Sequence, residues 1–447
     1  MLTSEIECPV APEVISEKSF PDDRQDSKRS VAVIETSSPD SDSTTDSRTS
    51  RQKYISLLQF VALCWPLTLN GWNDGTTGAL LPRIQTVYEV KYIIVSLIFV
   101  SACVGFMTGS VLNLYVTPRL GFGKTLFLGS ILQTAAYCIQ AAAPPYPAFV
   151  LGYYICGIGI SLQDAQANGF VGNLKYDAVS KMGLLHSAYG LGLLIAPFVS
   201  TQFAQLPRWS FHFLVSLGLS LSNVALQLAV FRLRSLDDCL GAGGEPHVAP
   251  APVGKGGLFR QVMKSYSTHI IAIFIIVHLG TCVTLSGWIV TYIIDVRGGG
   301  PSAGYISAGV FGGFVLGRFA LIKVNQKIGE RYAIILYSMC CVVLEIIVWR
   351  VPSLVGSAVA ACFVGFFLGP MYPIAANQAV RVLPPYLLTG SLGWIAGFGQ
   401  TGSALLPFMT GVIANKTGLG VMPPILMGLT ILMALLWTIV PNTPYTT

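Results

Sequence analysis

The sequence predicts an all-α membrane protein, with twelve transmembrane helices in two pseudo-symmetric six-helix bundles. Three observations predict it. The 447 residues are 53% hydrophobic but only 11% charged, where an ordinary soluble chain carries roughly 25% charged residues. Long apolar runs, each near the ~20 residues a bilayer requires, alternate with short charged clusters. Motifs of the first half return in the second half at matching positions. Such a chain lacks the charge to cover a soluble surface. A disordered protein, a nucleic-acid binder with a basic face and a disulfide-stapled secreted scaffold all fit it poorly.

Taken in order, the chain opens with an acidic segment. Residues 1–50 hold five basic and eleven acidic residues and sum to −6, so the other 397 residues sum to +12. The segment is rich in Ser, Thr, Asp, Glu and Pro, cannot bury a core, and is expected to be a disordered cytoplasmic tail. No apolar stretch precedes residue 54, so no secretory signal is expected. Twelve apolar segments follow, near 54–80, 92–116, 121–142, 147–172, 180–204 and 209–233, then 267–294, 303–324, 331–350, 353–380, 387–413 and 420–440. They divide the body into an N-terminal bundle over 51–233 and a C-terminal bundle over 267–447. The Gly/Pro-rich stretch 234–266 between them reads as a cytoplasmic linker. With the N-terminus inside, inner loops and flanks carry fifteen Lys and Arg against six outside. That bias puts both termini in the cytoplasm. The ten cysteines lie mostly within or beside apolar segments and read as small apolar residues.

The repeat is specific. Gly109-Ser-Val-Leu-Asn-Leu-Tyr-Val-Thr-Pro-Arg119-Leu-Gly121 corresponds to Gly317-Arg-Phe-Ala-Leu-Ile-Lys-Val-Asn-Gln-Lys327-Ile-Gly329, 208 residues apart. Both lie at the turn from the second to the third helix of their half. Gly192 to Phe198 corresponds to Gly402 to Phe408 in the fifth helix of each half.

Twelve spans in two repeated halves, with a basic Gly turn after the second and eighth, resemble the major facilitator superfamily over residues 54–440. That superfamily usually places an acid before the basic residue of the turn. Here Pro118 precedes Arg119 and Gln326 precedes Lys327. Asp164-Ala-Gln-Ala-Asn168-Gly-Phe170 is similar to the acidic–Asn–Phe pattern of the fucose–proton symporter branch, as is Asn73-Asp74…Leu81-Pro82. The resemblance implies a proton-linked carboxylate at Asp164 and a sugar–proton symport activity in a fungal-type relative.

Buried charge marks the residues to test. A carboxylate within lipid costs several kcal/mol, so intramembrane acids should face a cavity or a partner. Asn70, Asn73, Asp74 and Thr77 share one face of the first helix. Ser161, Asp164 and Asn168 share one face of the fourth, with Gln163 and Gln166 on another. Asp164 and Asp74 are therefore the expected proton-coupling groups, with interhelical hydrogen bonding as the competing role. Asn73, Gln163 and Asn168 are candidate substrate contacts beside them. In the seventh helix His278, Thr281, Thr284, Trp288 and Tyr292 fall on one third of the circumference, a face suited to a polyhydroxy ligand. His278 and Trp288 are taken as substrate contacts, and Tyr292 as part of an interfacial aromatic belt. The tenth helix contains Gly369-Pro370-Met-Tyr372-Pro373, where a kink is expected, with Tyr372 and Asn377 as further cargo contacts. Arg318 and Glu345 read as structural, Arg318 by snorkelling to the inner surface. Asn415-Lys-Thr417 is a glycosylation sequon in an expected outer loop.

No P-loop, His-Glu-x-x-His or metal-ligand cluster occurs, so no cofactor, metal or enzymatic activity is expected. The expected protein is a monomeric, multi-pass secondary active transporter. Its partners are the lipid bilayer, protons and a small polar solute, a sugar above all, and nucleic acid is not among them. The plasma membrane is the first expectation and the vacuolar membrane the second. Two alternatives are export of a hydrophobic metabolite or drug, and a non-transporting nutrient sensor on the same fold.

Overall fold

A computed structural model describes residues 48–245 and 258–442. The acidic tail, apart from its last residues, and the centre of the linker lie outside the described residues. Twelve long helices account for the body. In the first half these are α1 (Ser50–Tyr88), α2 (Tyr92–Leu120), α3 (Phe122–Ala141), α4 (Tyr146–Gly172), α5 (Ala178–Ala204) and α6 (His212–Phe231). In the second they are α7 (Tyr266–Arg297), α8 (Tyr305–Ala320), α9 (Glu330–Arg350), α10 (Leu354–Val382), α11 (Pro385–Thr417) and α12 (Met422–Ile439). Among the described residues no strand occurs, and ten of the twelve helices are long and apolar enough to cross a membrane. The other two, α3 and α11, are richer in polar and small residues, as in Gly399-Gln-Thr-Gly-Ser403. Short helices, Leu236–Ala242 and Leu258–Lys264, lie in the linker.

Helix starts and stops follow local chemistry. Thr49 caps α1 with a capping box that includes Gln52. The repeated turns both end on glycine in the left-handed region, Gly121 and Gly329, each with φ 83°. No side chain is well tolerated there, which is why the turn motif carries glycine in both halves. In α10 the helix is interrupted at Gly369-Pro370, as expected of a proline with no N–H to donate.

The repeat seen in the sequence is a repeat of packing. A Cβ on Gly109 would meet the Ile158 carbonyl, and one on Gly317 would meet the Phe366 carbonyl. One on Gly192 would strike the Thr68 carbonyl, and one on Gly402 the Ile276 carbonyl. Each half thus locks its second helix to its fourth and its fifth to its first by the same glycine-on-carbonyl contact. Without a hydrophobic drive between helices in lipid, such close backbone approach is the source of cohesion.

The two ends of the molecule differ. At one, the linker end, Gln59 donates to the Cys239 carbonyl at 2.8 Å. Glu245 there pairs with Arg48 at 2.9 Å and accepts from the Lys175 amide at 2.8 Å. At the far end the halves meet. Tyr92 donates to Asp295 at 2.6 Å, Gln202 bonds Tyr305, and the Phe99 ring lies where a Cβ on Gly287 would sit. Gly78 backs directly onto the Ser286 carbonyl. Gly78 is buried at this junction, whereas Asp74, one turn nearer the linker end, is exposed. The space between the halves is closed at the far end and open to solvent at the linker end.

Two expectations are corrected here. Tyr292 is not in an interfacial belt: it is 1% exposed and its hydroxyl donates to the Val348 carbonyl at 2.9 Å. Asn415 lies not in a loop but in the last turn of α11, exposed at the far end.

Candidate functional site

Two carboxylates stand at mid-depth in the first half. Asp74 on α1 accepts the Tyr189 hydroxyl of α5 at 2.7 Å and the Asn73 amide at 3.3 Å. Asp164 on α4 accepts the Asn70 amide at 2.8 Å. The sequence spacing produces this arrangement. Asn70 and Asp74 are one helical turn apart, so α1 presents one group to α4 and the next to α5. Among the described residues neither carboxylate has a basic partner. Their charges act on each other, and Tyr189 feels both. Asn70 also keeps its buried Oδ1 without a protein partner.

The second half fills the corresponding positions with different chemistry. The 208-residue offset of the repeat pairs Asn70 with His278, Asp74 with Cys282 and Asp164 with Tyr372. His278 lies against Tyr372, ring centroids 6.5 Å apart, as Asn70 lies against Asp164. It is 3% exposed, and its Nδ1 has no protein partner. The acid pair of one half therefore corresponds to a thiol and a phenol beside a histidine in the other.

Arg318, expected to snorkel to the inner surface in a structural role, is exposed. It lies close enough to His186 and Tyr189 of α5, His278 and Cys282 of α7, and Tyr372 of α10 to act on them electrostatically. These groups belong to both halves, so the exposed Arg318 faces the space between them. Its placement has a backbone cause. Pro373 has no N–H to give the Gly369 carbonyl, and that freed carbonyl accepts Arg318 Nε at 3.3 Å. The signal was available in the Gly369…Pro373 spacing and in the count of charges within the spans.

Other expected site residues lie elsewhere. Asn168 is half-buried beside Asp164 and donates to its backbone carbonyl at 2.9 Å. Asn73 is buried behind Asp74, where its Oδ1 meets Cys156 Sγ at 3.4 Å. Gln163 is fully buried within the first half. It donates to Gln133 at 3.0 Å and accepts from Asn223 at 2.7 Å, with Gln227 extending the chain. Ser161 points to α2, at 2.8 Å from Ser110. Trp288 is 0% exposed, donates to the Pro407 carbonyl at 3.0 Å and packs edge-on to Tyr92 in the far-end closure. Asn377 lies toward the linker end, 2.9 Å from Glu330, which also pairs with Arg381 at 3.2 Å. Glu345 is buried away from the centre against Thr430 of α12 at 3.0 Å. Among the described residues no cluster of His, Cys, Asp and Glu could hold a metal.

Comparison with known proteins agrees with this frame. Residues 63–407 match the family model of the Major Facilitator Superfamily. The chain is 25% identical over 424 residues to the Saccharomyces cerevisiae protein named Bypass of stop codon protein 6, covering 86% of this chain and 82% of that one. Solved structures share the fold at low identity. A D-xylose-proton symporter is 14% identical, with a TM-score of 0.67 over 87% of this chain and 99% of its own. A point mutant of the nucleoside transporter NupG is 11% identical, with a TM-score of 0.68 over 87% and 100%. A variant of the E. coli Fucose:proton symporter, FucP, is 15% identical, with a TM-score of 0.59 over 87% and 99%. Twelve helices in two repeated bundles around a central polar site, together with the family match, identify this chain as a transporter of the Major Facilitator Superfamily.

Proposed function

We propose that the protein is a proton-coupled carrier that moves a small polar solute, a sugar, by rocking its two halves about the central site. The observation that carries this reading is the pair Asp74 and Asp164. Each is hydrogen-bonded by a neutral donor, neither has a basic partner among the described residues, and both stand in the blind end of a solvent-open cleft. A carboxyl group so placed can be neutralised by a proton, which lowers the cost of carrying it through a closed, low-dielectric state. Symporters of D-xylose and fucose among the structures of like fold support a sugar as cargo. Asn168, His278 and Tyr372 are the side chains best placed to meet the solute, and Asp164 is the first choice for the coupled proton. The positive-inside bias supports a cytoplasmic linker end, with both termini inside and the cleft open to the cytoplasm. The plasma membrane is the proposed location and a monomer the proposed unit.

The test is uptake of labelled D-xylose and L-fucose in a sugar-transport-deficient host, with and without a proton gradient. Asp164→Asn is expected to abolish gradient-driven uptake and leave counterflow. Unchanged, pH-dependent uptake in that variant would sink the assignment. No sugar uptake, together with a lowered intracellular metabolite, would turn the reading to efflux.

A further inference from the structure

We infer that the cargo carries one carboxylate, and that Arg318 is its docking group. The inference rests on the proposed carrier function and names the class of its solute: a hydroxyl-bearing monocarboxylate such as a sugar acid.

Arg318 is a permanent cation on a spanning helix, exposed in the space between the halves. Among the described residues it has no carboxylate partner, whereas Arg48 pairs with Glu245 and Arg381 with Glu330. Its one hydrogen bond among the described residues, Nε to the Gly369 carbonyl at 3.3 Å, fixes the base of the guanidinium. The two terminal nitrogens remain, a fork suited to two carboxylate oxygens. The repeat sharpens the point, because the equivalent position in the first half is Ser110. That serine is spent on an ordinary bond to Ser161 at 2.8 Å. The arginine is therefore a feature of this face and not of the frame. His278 beside it keeps a buried ring nitrogen without a protein partner. Within electrostatic reach of Arg318 are the polar His186, Tyr189, His278, Cys282 and Tyr372. One arginine matches a single negative charge, which favours a carboxylate over a phosphate dianion. Imidazole, thiol and phenol groups suit hydroxyl groups.

The coupled proton then offsets the charge of the cargo. Arg318 with Asp74 and Asp164 sums to −1 when empty; a bound carboxylate takes the centre to −2, and one proton on either acid returns it to −1. The loaded carrier thus closes with no more net charge than the empty one.

The full chain, purified in detergent, is exposed at matched ionic strength to three pairs: D-galacturonate and D-galactose, D-glucuronate and D-glucose, D-gluconate and D-sorbitol. Affinity is read from thermal stabilisation, and proton-driven uptake is measured in proteoliposomes. The expected result is that the acid of at least one pair binds at least ~10-fold more tightly than its neutral partner, as a charge-assisted pair requires. Arg318→Gln is expected to lower that acid affinity by about ten- to hundredfold, and so to bring it close to that of the neutral partner; Arg318→Lys retains part of the preference. If Arg318→Gln is not monodisperse, the wild-type ratio and Arg318→Lys decide. The inference is overturned if no acid binds, if acid and neutral partner bind alike, or if Arg318→Gln binds the acid as the wild type does. Proton-driven uptake of a neutral sugar without acid preference would leave the carrier function standing and remove the carboxylate. An effect of Arg318→Gln on maximal rate alone would assign the arginine to pairing with an internal acid in the opposite state, and would also overturn the inference. Uptake of neither class would remove both.

Discussion

Gly78→Val tests whether the far-end closure is a backbone contact between the halves. Gly78 backs onto the Ser286 carbonyl, well inside ordinary van der Waals distance of any added Cβ. A backbone carbonyl in mid-helix cannot swing aside as a side chain can. The halves must therefore separate or the helices bend, and overpacking of this kind costs about 1–3 kcal/mol. Each ~1.4 kcal/mol shifts a two-state equilibrium tenfold, so the far-end-open form should gain roughly five- to hundredfold in population. Ser96 reports on it, because it is 0% exposed and its hydroxyl lies 2.8 Å from where a Cβ on Gly411 would sit, across the junction. In a cysteine-depleted background, Ser96→Cys should react slowly with an impermeant maleimide from the far side. Adding Gly78→Val should speed that reaction by the same factor. Gly287→Ala, whose methyl group would fall 2.6 Å from the Phe99 ring, should act in the same direction but more weakly, since a ring can tilt. Equal labelling rates with and without Gly78→Val, in a protein that elutes as a single species, would refute the reasoning.

Three further outcomes follow from the same geometry. Gly192→Val should cost more than ~3 kcal/mol and lower the thermal midpoint sharply or prevent folding, because its clash with the Thr68 carbonyl lies within one half and no rocking relieves it. Gln163→Leu leaves Gln133 and Asn223 each short of a bond, so it should destabilise by about 1–3 kcal/mol in a melting experiment, with the substrate KM unchanged; a shifted KM would return Gln163 to the binding site. Trp288→Phe removes the bond to the Pro407 carbonyl and should cost about 1 kcal/mol, read as faster far-side labelling of Ser96→Cys with KM again unchanged.

Much of the frame was legible in the sequence because it rests on backbone rules. Glycine at Gly121 and Gly329 is forced by a positive φ, and glycine at Gly192 and Gly402 by a carbonyl pressed against the backbone. Both are one-residue signals that repeat at a nearly fixed offset. The interruption at Gly369-Pro370 follows from a missing N–H. The acid pair was legible for a related reason, since charge is scarce in the spans and each instance stands out. Helical spacing could not say which of several neighbours a polar residue faces. Gln163 and Asp164 are adjacent in sequence, yet one is sealed among α3, α4 and α6 and the other meets α1. Trp288 shares a helix face with His278, but about three turns of helix carry it from the open cleft into the closed end. The setting of Arg318 could not be read from its own helix. Its position is set by a carbonyl released on α10, which no pattern within α8 reveals.

The paired positions Asn70–His278, Asp74–Cys282 and Asp164–Tyr372 have a consequence for how such a protein can diversify. After an ancestral duplication, the glycines that clamp helix to helix are fixed by geometry, so neither copy can alter them without losing its fold. The cleft-facing positions carry no such constraint. One copy can keep acids while the other explores rings and thiols, all on an unchanged scaffold. A new specificity is then a matter of a few substitutions at known addresses, and Ser110 and Arg318 mark one address where the two copies have already parted.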